Sequence, residues 1–367
     1  MQTFIHKFLS KQEDASLLRN RLILNDGVDF ANNDYLCLSQ NKEVINAFKK
    51  SADIYGLGSG GSVFISGYKR VHQEAEERFA EFIQREKVLL FPSGYQANLG
   101  VITSLVGRSS SLFIDRLSHA SIIDAAIMST SKFRRYPHDN IMNIKDSIKE
   151  NAIICTEGVF SMEGSISDLK SVAKISRKNK AVLILDDAHA LGVIGKKGSI
   201  DFHNLRNQDI DVLVNPLGKS VGIMGAFVSG TKDYIDYIAQ KARSYKYTTS
   251  LVPAVASAIS KSIAVLEKES WRQEKLVSII KFFILAAKER GIQLVSEDIT
   301  PIKSILVPEI EKLLQIQEAL LQNKIFVSAI RSPTVPVGSS RIRISLNINH
   351  TTKEIESLLD RTRKELV

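Results

Sequence analysis

The sequence predicts an α/β chain: a large domain with a mostly parallel sheet flanked by helices, followed by a smaller α+β carboxy-terminal domain. Three observations lead there. Short apolar runs recur through the first two thirds of the chain, helix-length amphipathic segments lie between them, and the texture changes to long helical stretches after about Lys232. Strands that alternate with helices and are apolar on both faces belong to parallel sheets covered on both sides.

The elements follow in order. An amino-terminal arm over residues 1–40 begins with Phe4, Ile5, Phe8, Leu9, Leu17 and Leu18 at helical spacing, a pattern unlike the uninterrupted apolar core of a signal peptide. The large domain, residues 41–235, offers strands at Val88–Phe91, Ser111–Ile114, Ile153–Thr156, Val182–Leu185, Asp211–Val214 and Gly225–Ser229. Helices are expected at Val71–Ile83, Gly94–Leu105, Ser121–Met128 and Leu169–Lys178. The remainder, residues 236–367, begins with helices at Pro253–Lys268 and Glu274–Gly291. Strands at Ile302–Val307, Phe326–Ile330 and Arg341–Leu346 then precede a last helix from Thr352, whose Glu354 stands in the first turn.

Composition narrows the function classes. With 367 residues, 44% hydrophobic and 24% charged, the chain can bury a substantial core, which excludes disordered and disulfide-stapled architectures. Its only cysteines, Cys37 and Cys155, lie in apolar stretches and suit a reduced compartment. The net charge of +9 is scattered among 40 acidic residues without the clustered pattern of a nucleic-acid surface. The most apolar stretch, Ile279–Ala287, is broken by Lys281 and too short to span a membrane. A cytoplasmic protein that binds neither nucleic acid nor membrane is the expectation.

Chemistry is concentrated in a few places. The run Ala181–Leu185 ends in Asp186-Asp-Ala-His189, and the carboxyl ends of strands in an open α/β sheet are where ligands sit. Lys219 lies between two strand candidates among Gly218, Gly222 and Gly225, where small neighbours admit a flat ring and apolar ones favour an unprotonated amine. A Walker loop is excluded because its spacing puts Leu213 where glycine is required. Phe91-Pro-Ser-Gly-Tyr-Gln-Ala-Asn98 reads as strand, turn and helix start, whose free N–H groups bind phosphate. Ser118-His119-Ala120-Ser121 adds an imidazole that can stack on a ring. A lysine for a Schiff base, an acid for a pyridine nitrogen and a phosphate cradle are what pyridoxal phosphate requires. Gly56-Leu-Gly-Ser-Gly-Gly61 lacks the preceding strand of a dinucleotide fingerprint and reads as a mobile loop near the ligand.

Taken together, these residues resemble the α-oxoamine synthases, which are fold-type I pyridoxal-phosphate enzymes. The likeness runs from about Asn33 to His350 through Asn33-Asp-Tyr-Leu36, Gly58-Ser-Gly-Gly-Ser62, His72-Gln73, Ser93-Gly-Tyr95, His119-Ala-Ser-Ile-Ile-Asp124, Thr156-Glu-Gly-Val-Phe-Ser-Met162, Asp186-Asp-Ala-His189 and Gly218-Lys219. The tail, Ala329-Ile-Arg-Ser-Pro-Thr-Val-Pro336 with Ser340-Arg-Ile-Arg343, is similar to that of the biotin-pathway members. They join L-alanine to a pimeloyl thioester carried on coenzyme A or acyl carrier protein.

The resemblance implies roles. Lys219 would hold the cofactor and act as base, Asp186 would hold the pyridinium, and His189 and Ser161 would contact the ring oxygen. His119 would stack on the ring and meet substrate. Gly94, Tyr95 and Glu157 would line the cofactor site. Arg331 would clamp the amino-acid carboxylate, Asn33 and Thr334 would line the substrate pocket, and Arg19 would meet the acyl group. The active site would form in a homodimer, with Thr248 and Thr249 near the phosphate on a segment donated by the neighbouring subunit. Pro216 departs from the pattern, since a threonine hydroxyl is usual there, and Ala125, Ala190 and Val63 also differ. Other readings are a synthase that uses glycine or serine, and a catalytically impaired binding protein.

Overall fold

The computed structural model describes residues 1–24, 26–129 and 131–366. It contains two compact units: a central one of Asp34–Ser161 and Ser165–Glu274, and a terminal one of Met1–Asn33, Met162–Gly164 and the chain from Lys275 on. In chain order the strands are β1 (Val28–Asp29), β2 (Lys87–Phe91), β3 (Leu112–Asp115), β4 (Phe133–Tyr136), β5 (Ile153–Glu157), β6 (Val182–Asp186), β7 (Val212–Pro216), β8 (Ala226–Gly230), β9 (Ile302–Leu306), β10 (Ile325–Phe326), β11 (Ser328–Ile330) and β12 (Arg341–Ser345).

The central unit is built on a seven-stranded sheet in the order β2-β8-β7-β6-β5-β3-β4. All neighbouring pairs are parallel except those of β8, which runs antiparallel to β2 and β7. Every residue of β5 and of β7 is buried, the consequence of apolar side chains on both faces of a covered sheet. Phe91, Val101, Ile114, Cys155, Ile184 and Val214 belong to its continuous core. Truncating Ile184 to alanine there would cost roughly 2–5 kcal/mol.

Parallel pairing matters for the site because it aligns strand ends. Glu157 at the end of β5 lies in register with Asp186 at the end of β6. The helix Gly94–Leu105, capped by Ser93, follows β2 and packs on the helix Ala120–Met128. Its first N–H groups therefore open beside the same strand ends.

The expected boundary near residue 235 does not coincide with the division between units, which falls at Glu274. The reason is packing: Pro253–Lys268 lies against the helices Lys42–Tyr55 and Arg70–Ile83 of the central unit. At the amino end the units divide after Asn33 rather than at 40, because Tyr35, Leu36 and Leu38 are fully buried in the central unit.

In the terminal unit β11, β12 and β9 form an antiparallel sheet, while β1 pairs in parallel with β10. The expected single strand Phe326–Ile330 is thus two strands that serve different sheets. The last helix, Thr352–Leu366, starts with a reciprocal cap: Glu354 Oε2 accepts the Thr351 backbone N–H at 2.7 Å, and Thr351 Oγ1 accepts that of Glu354 at 3.3 Å. The arm forms the helix Gln2–Asp14, which buries none of its residues; Phe4 and Phe8 are 73% and 55% exposed. Among the described residues no helix is long and apolar enough to cross a membrane.

Candidate active site

Asp186 ends β6 and is buried. Its Oδ2 accepts from Asn98 Nδ2 at 2.6 Å and its Oδ1 from the Ala188 backbone N–H at 3.0 Å, so the carboxylate is oriented by two donors. His189 follows on the same turn, with Nδ1 2.7 Å from the Tyr35 hydroxyl. Lys219 lies in the connection between β7 and β8. There the Leu217 N–H donates to Gly225 O at 2.9 Å and the Gly222 N–H to Lys219 O at 2.9 Å. Gly222 has φ +74° and a Cβ there would come within 2.4 Å of the Ser39 backbone nitrogen, so this tight turn requires glycine.

These groups share one cavity of about 190 Å³, whose wall includes Gly94, Tyr95, His119, Glu157, Asp186, His189 and Lys219. Asn98, Ser121 and Pro216 also line it. Ser161, Thr248 and Thr249 do not; Thr248 Oγ1 accepts from Gln96 Nε2 at 3.4 Å. The Glu157 carboxylate accepts the backbone N–H of His119 and so fixes the start of the Ala120–Met128 helix. The Tyr95 hydroxyl donates to Asp124 on that helix.

The cavity fits pyridoxal phosphate chemically. Among the described residues nothing claims the N–H groups of Gly94 and Tyr95 at the start of their helix, an arrangement suited to a phosphate. Gly94 must be glycine, because a Cβ would lie 2.6 Å from Pro216 Cγ. Pro216 therefore supplies carbon, not a donor, to this part of the wall. An acid on one side and a lysine on another complete the donor set.

Burial pushes Asp187 up to about 7, against the opposing hydrogen bonds of Ser199, whose backbone N–H reaches its Oδ2 at 3.0 Å. The His119 ring remains open along the cavity, yet desolvation by the surrounding protein lowers its pKa; the Asp186 charge opposes this and Lys219 reinforces it.

The other residues suggested by the sequence lie in the terminal unit. Arg19 Nη2 donates to Thr334 Oγ1 at 2.7 Å, and Arg331 Nη2 donates to Leu18 O at 2.7 Å. Arg331 is only 8% exposed, and its Nε has no hydrogen-bond partner among the described residues. Burial, then the neighbouring Arg19 charge, lowers its pKa. Both arginines border a cavity of about 500 Å³ with apolar walls that include Leu18, Leu22, Leu314 and Leu321. Asn33 Oδ1 accepts from Arg343 Nη2 at 3.1 Å and Ser345 Oγ at 3.2 Å.

Tyr35, Asn98 and Ser121 escaped the sequence reading as site residues. Asn98 carried a usable signal: it is a polar residue one turn after Gly94, amid Ala97 and Val101 on a helix face that must be buried. Among the described residues no cluster of three or more His, Cys, Asp or Glu could hold a metal ion.

Residues 25–361 match the family model described as aminotransferase class I and II. A protein of Pseudomonas savastanoi pv. phaseolicola named 8-amino-7-oxononanoate synthase is 40% identical over 336 residues, which cover 90% of this chain and 85% of the relative. One of Pseudomonas putida strain W619 with the same name is 38% identical, with coverage of 96% and 94%. The crystal structure of the 8-amino-7-oxononanoate synthase from Francisella tularensis superposes with TM-score 0.83 at 35% identity, covering 93% of this chain and 98% of that one. A serine palmitoyltransferase from S. paucimobilis, solved with a bound PLP–myriocin aldimine, reaches TM-score 0.92 at 26% identity and covers 98% and 96%.

Proposed function

Because the chain belongs to the aminotransferase class I and II family, we propose that it condenses L-alanine with a pimeloyl thioester to give 8-amino-7-oxononanoate, carbon dioxide and the free carrier, a step of biotin biosynthesis. The supporting observation is the convergence of Lys219, Asp186, His119 and His189 on one cavity beside an open helix start. The relatives named 8-amino-7-oxononanoate synthase stand at 35–40% identity, against 26% for the serine palmitoyltransferase, and this favours alanine over serine.

Bound pyridoxal phosphate supplies an electron sink that makes the alanine α-proton removable and lets the carboxylate depart. The chain's own groups do the rest. The Gly94 and Tyr95 N–H groups would hold the phosphate, and Asp186, oriented by Asn98, would keep a proton on the ring nitrogen. Lys219 Nζ removes the α-proton and later returns one. His119 would meet the ring from the cavity wall, and His189, held by Tyr35, would contact its oxygen; Ser161, outside the cavity lining, would reach that oxygen only if its side chain moves. A carbon–carbon bond forms between the alanine α-carbon and the thioester carbonyl carbon, the thiolate leaves, and the original carboxylate is lost as carbon dioxide.

Arg331, whose Nε has no hydrogen-bond partner among the described residues, would bind the alanine carboxylate, while Asn33 and Thr334 would line the substrate pocket and Arg19 would meet the acyl portion. We assign the chain to a cytoplasmic homodimer, in which the uncovered apolar face of Gln2–Asp14 is buried and Thr248 and Thr249 serve the neighbouring site. An active monomer by sedimentation would overturn that assignment. The scattered positive charge attracts an acidic acyl carrier protein or the phosphates of coenzyme A, so transfer rates should fall with ionic strength. The test of the cofactor assignment is an absorbance spectrum: a near-violet band is expected with pyridoxal phosphate and is lost in Lys219→Ala. A band unchanged by that substitution would refute the role of Lys219.

A further inference from the structure

A chain of hydrogen bonds runs behind the cavity wall. Asn98 Nδ2 lies 2.6 Å from Asp186 Oδ2 and 2.9 Å from Ser121 Oγ. Ser121 Oγ is 2.8 Å from His119 Nδ1, and the Ser121 backbone N–H also points at Nδ1, at 3.2 Å. Asn98 is 1% exposed and the Ser121 side chain is fully buried.

The direction of every proton in this chain follows from its fixed end. A carboxylate only accepts, so the Asn98 amide must turn its NH₂ group toward Asp186. The opposite flip would set two oxygens 2.6 Å apart. The second hydrogen of that NH₂ group goes to Ser121 Oγ, which thereby accepts. Its own hydrogen is then free to be donated to His119 Nδ1. The backbone N–H of Ser121 can only donate, and it too faces Nδ1. With two donors converging on it, Nδ1 must be the acceptor nitrogen, and the proton of the neutral ring sits on Nε2. The cost is visible: Asn98 Oδ1 is buried without a hydrogen-bond partner among the described residues, because the amide is used from its NH₂ end twice.

We propose that Asn98 and Ser121 are positioning residues that lock His119 as the Nε2–H tautomer, so that it presents a hydrogen-bond donor to the carbonyl or carboxylate oxygen of the substrate in the cavity. The purpose of the donor rests on the reaction proposed above; the lock itself rests only on the geometry of this chain. Protonating His119 would put a hydrogen on Nδ1 opposite the Ser121 N–H and force the Ser121 hydroxyl to reverse. The charged groups facing the ring are Asp186, Lys219 and Asp124, with Glu157 on its backbone N–H. They act on any imidazole there, whereas the lock acts through Nδ1 alone.

The experiment is ¹⁵N NMR of histidine-labelled protein, with and without pyridoxal phosphate, with His119 assigned by loss of its signals in His119→Asn. The proposal expects a protonated Nε2 and a bare Nδ1 at neutral pH in both states. In Ser121→Ala, which deletes one donor and little volume, the His119 titration should move up by about half a pH unit or more, since the neutral form loses a hydrogen bond. Asn98→Ala should move it in the same direction by freeing the Ser121 hydroxyl to accept. If Asn98→Ala does not fold, Ser121→Ala decides alone. A proton on Nδ1 in the unsubstituted protein, or an unmoved titration in Ser121→Ala, would overturn the lock. Either result would leave the alanine condensation intact, because product formation is measured separately. Conversely, a protein that shows the lock but makes no 8-amino-7-oxononanoate would remove the reaction and keep the tautomer.

Discussion

The cavity of the central unit and that of the terminal unit are built in different ways. In the central unit the reactive groups stand at strand ends held in register, and Asp186 is oriented by two donors before any ligand arrives. In the terminal unit Arg19 donates to Thr334 at an exposed contact and Arg331 to the carbonyls of Leu18 and Ala329, around apolar walls. A group fixed by the sheet is preorganised for chemistry; a guanidinium at the border of an apolar-walled cavity is suited to gripping a substrate carboxylate. Substitutions in the first region should therefore act on kcat and those in the second on KM.

The largest effect tests the first region. Lys219→Ala is expected to lower kcat by about 10²–10⁴-fold, the usual worth of a positioned base, and single-turnover kinetics with L-alanine would measure it. Asp186→Asn should follow at about 10²-fold, with the near-violet band weakened, because the ring nitrogen loses its acid partner.

Arg331→Ala crosses to the second region. Losing a charge-assisted hydrogen bond of about 1.5–3 kcal/mol should raise the KM for alanine roughly 10- to 100-fold while kcat changes less. A fall in kcat alone would erase the distinction between the two regions. Arg19→Ala, at an exposed contact, should raise the KM of the acyl substrate only about 2- to 5-fold.

A finer probe is Asp187, whose folded pKa of about 7 stands above its ordinary 3.8. A raised carboxyl pKa contributes stability that is present below the unfolded value and is lost as pH rises through the folded one. Asp187→Asn has no such loss. Its stability relative to the unsubstituted protein should therefore rise between pH 5 and 8.5 by on the order of 1–3 kcal/mol, measured by urea unfolding. A difference independent of pH would show that Asp187 is ionised throughout.

Much of the central unit was legible in the sequence because its strands are apolar on both faces. β4 was not: Phe133-Arg-Arg-Tyr136 buries only Tyr136 and pairs on one side, so no apolar run marks it. The antiparallel direction of β8 was equally hidden, since an apolar run carries no sign of its orientation. Lys42–Tyr55 went unassigned although Asn41 caps it, because its charged residues mask the face that meets Pro253–Lys268. Motif residues Lys219, Asp186, His119 and His189 were found because each stands at a turn or strand end. Asn98 and Tyr35 act through other side chains, and only three-dimensional neighbours reveal that. The Gly56–Gly61 loop read as mobile; Ser59 and Gly61 instead hold Ser250, through Ser59 Oγ to Ser250 O at 2.8 Å and the Ser250 N–H to Gly61 O at 2.9 Å.

The most direct measurement incubates the purified protein and pyridoxal phosphate with pimeloyl thioester and, in parallel, L-alanine, glycine or L-serine, and identifies the amino ketone by mass spectrometry. The account predicts 8-amino-7-oxononanoate from L-alanine, with carbon dioxide released from its carboxyl carbon. Turnover of glycine or serine with none of alanine would contradict it.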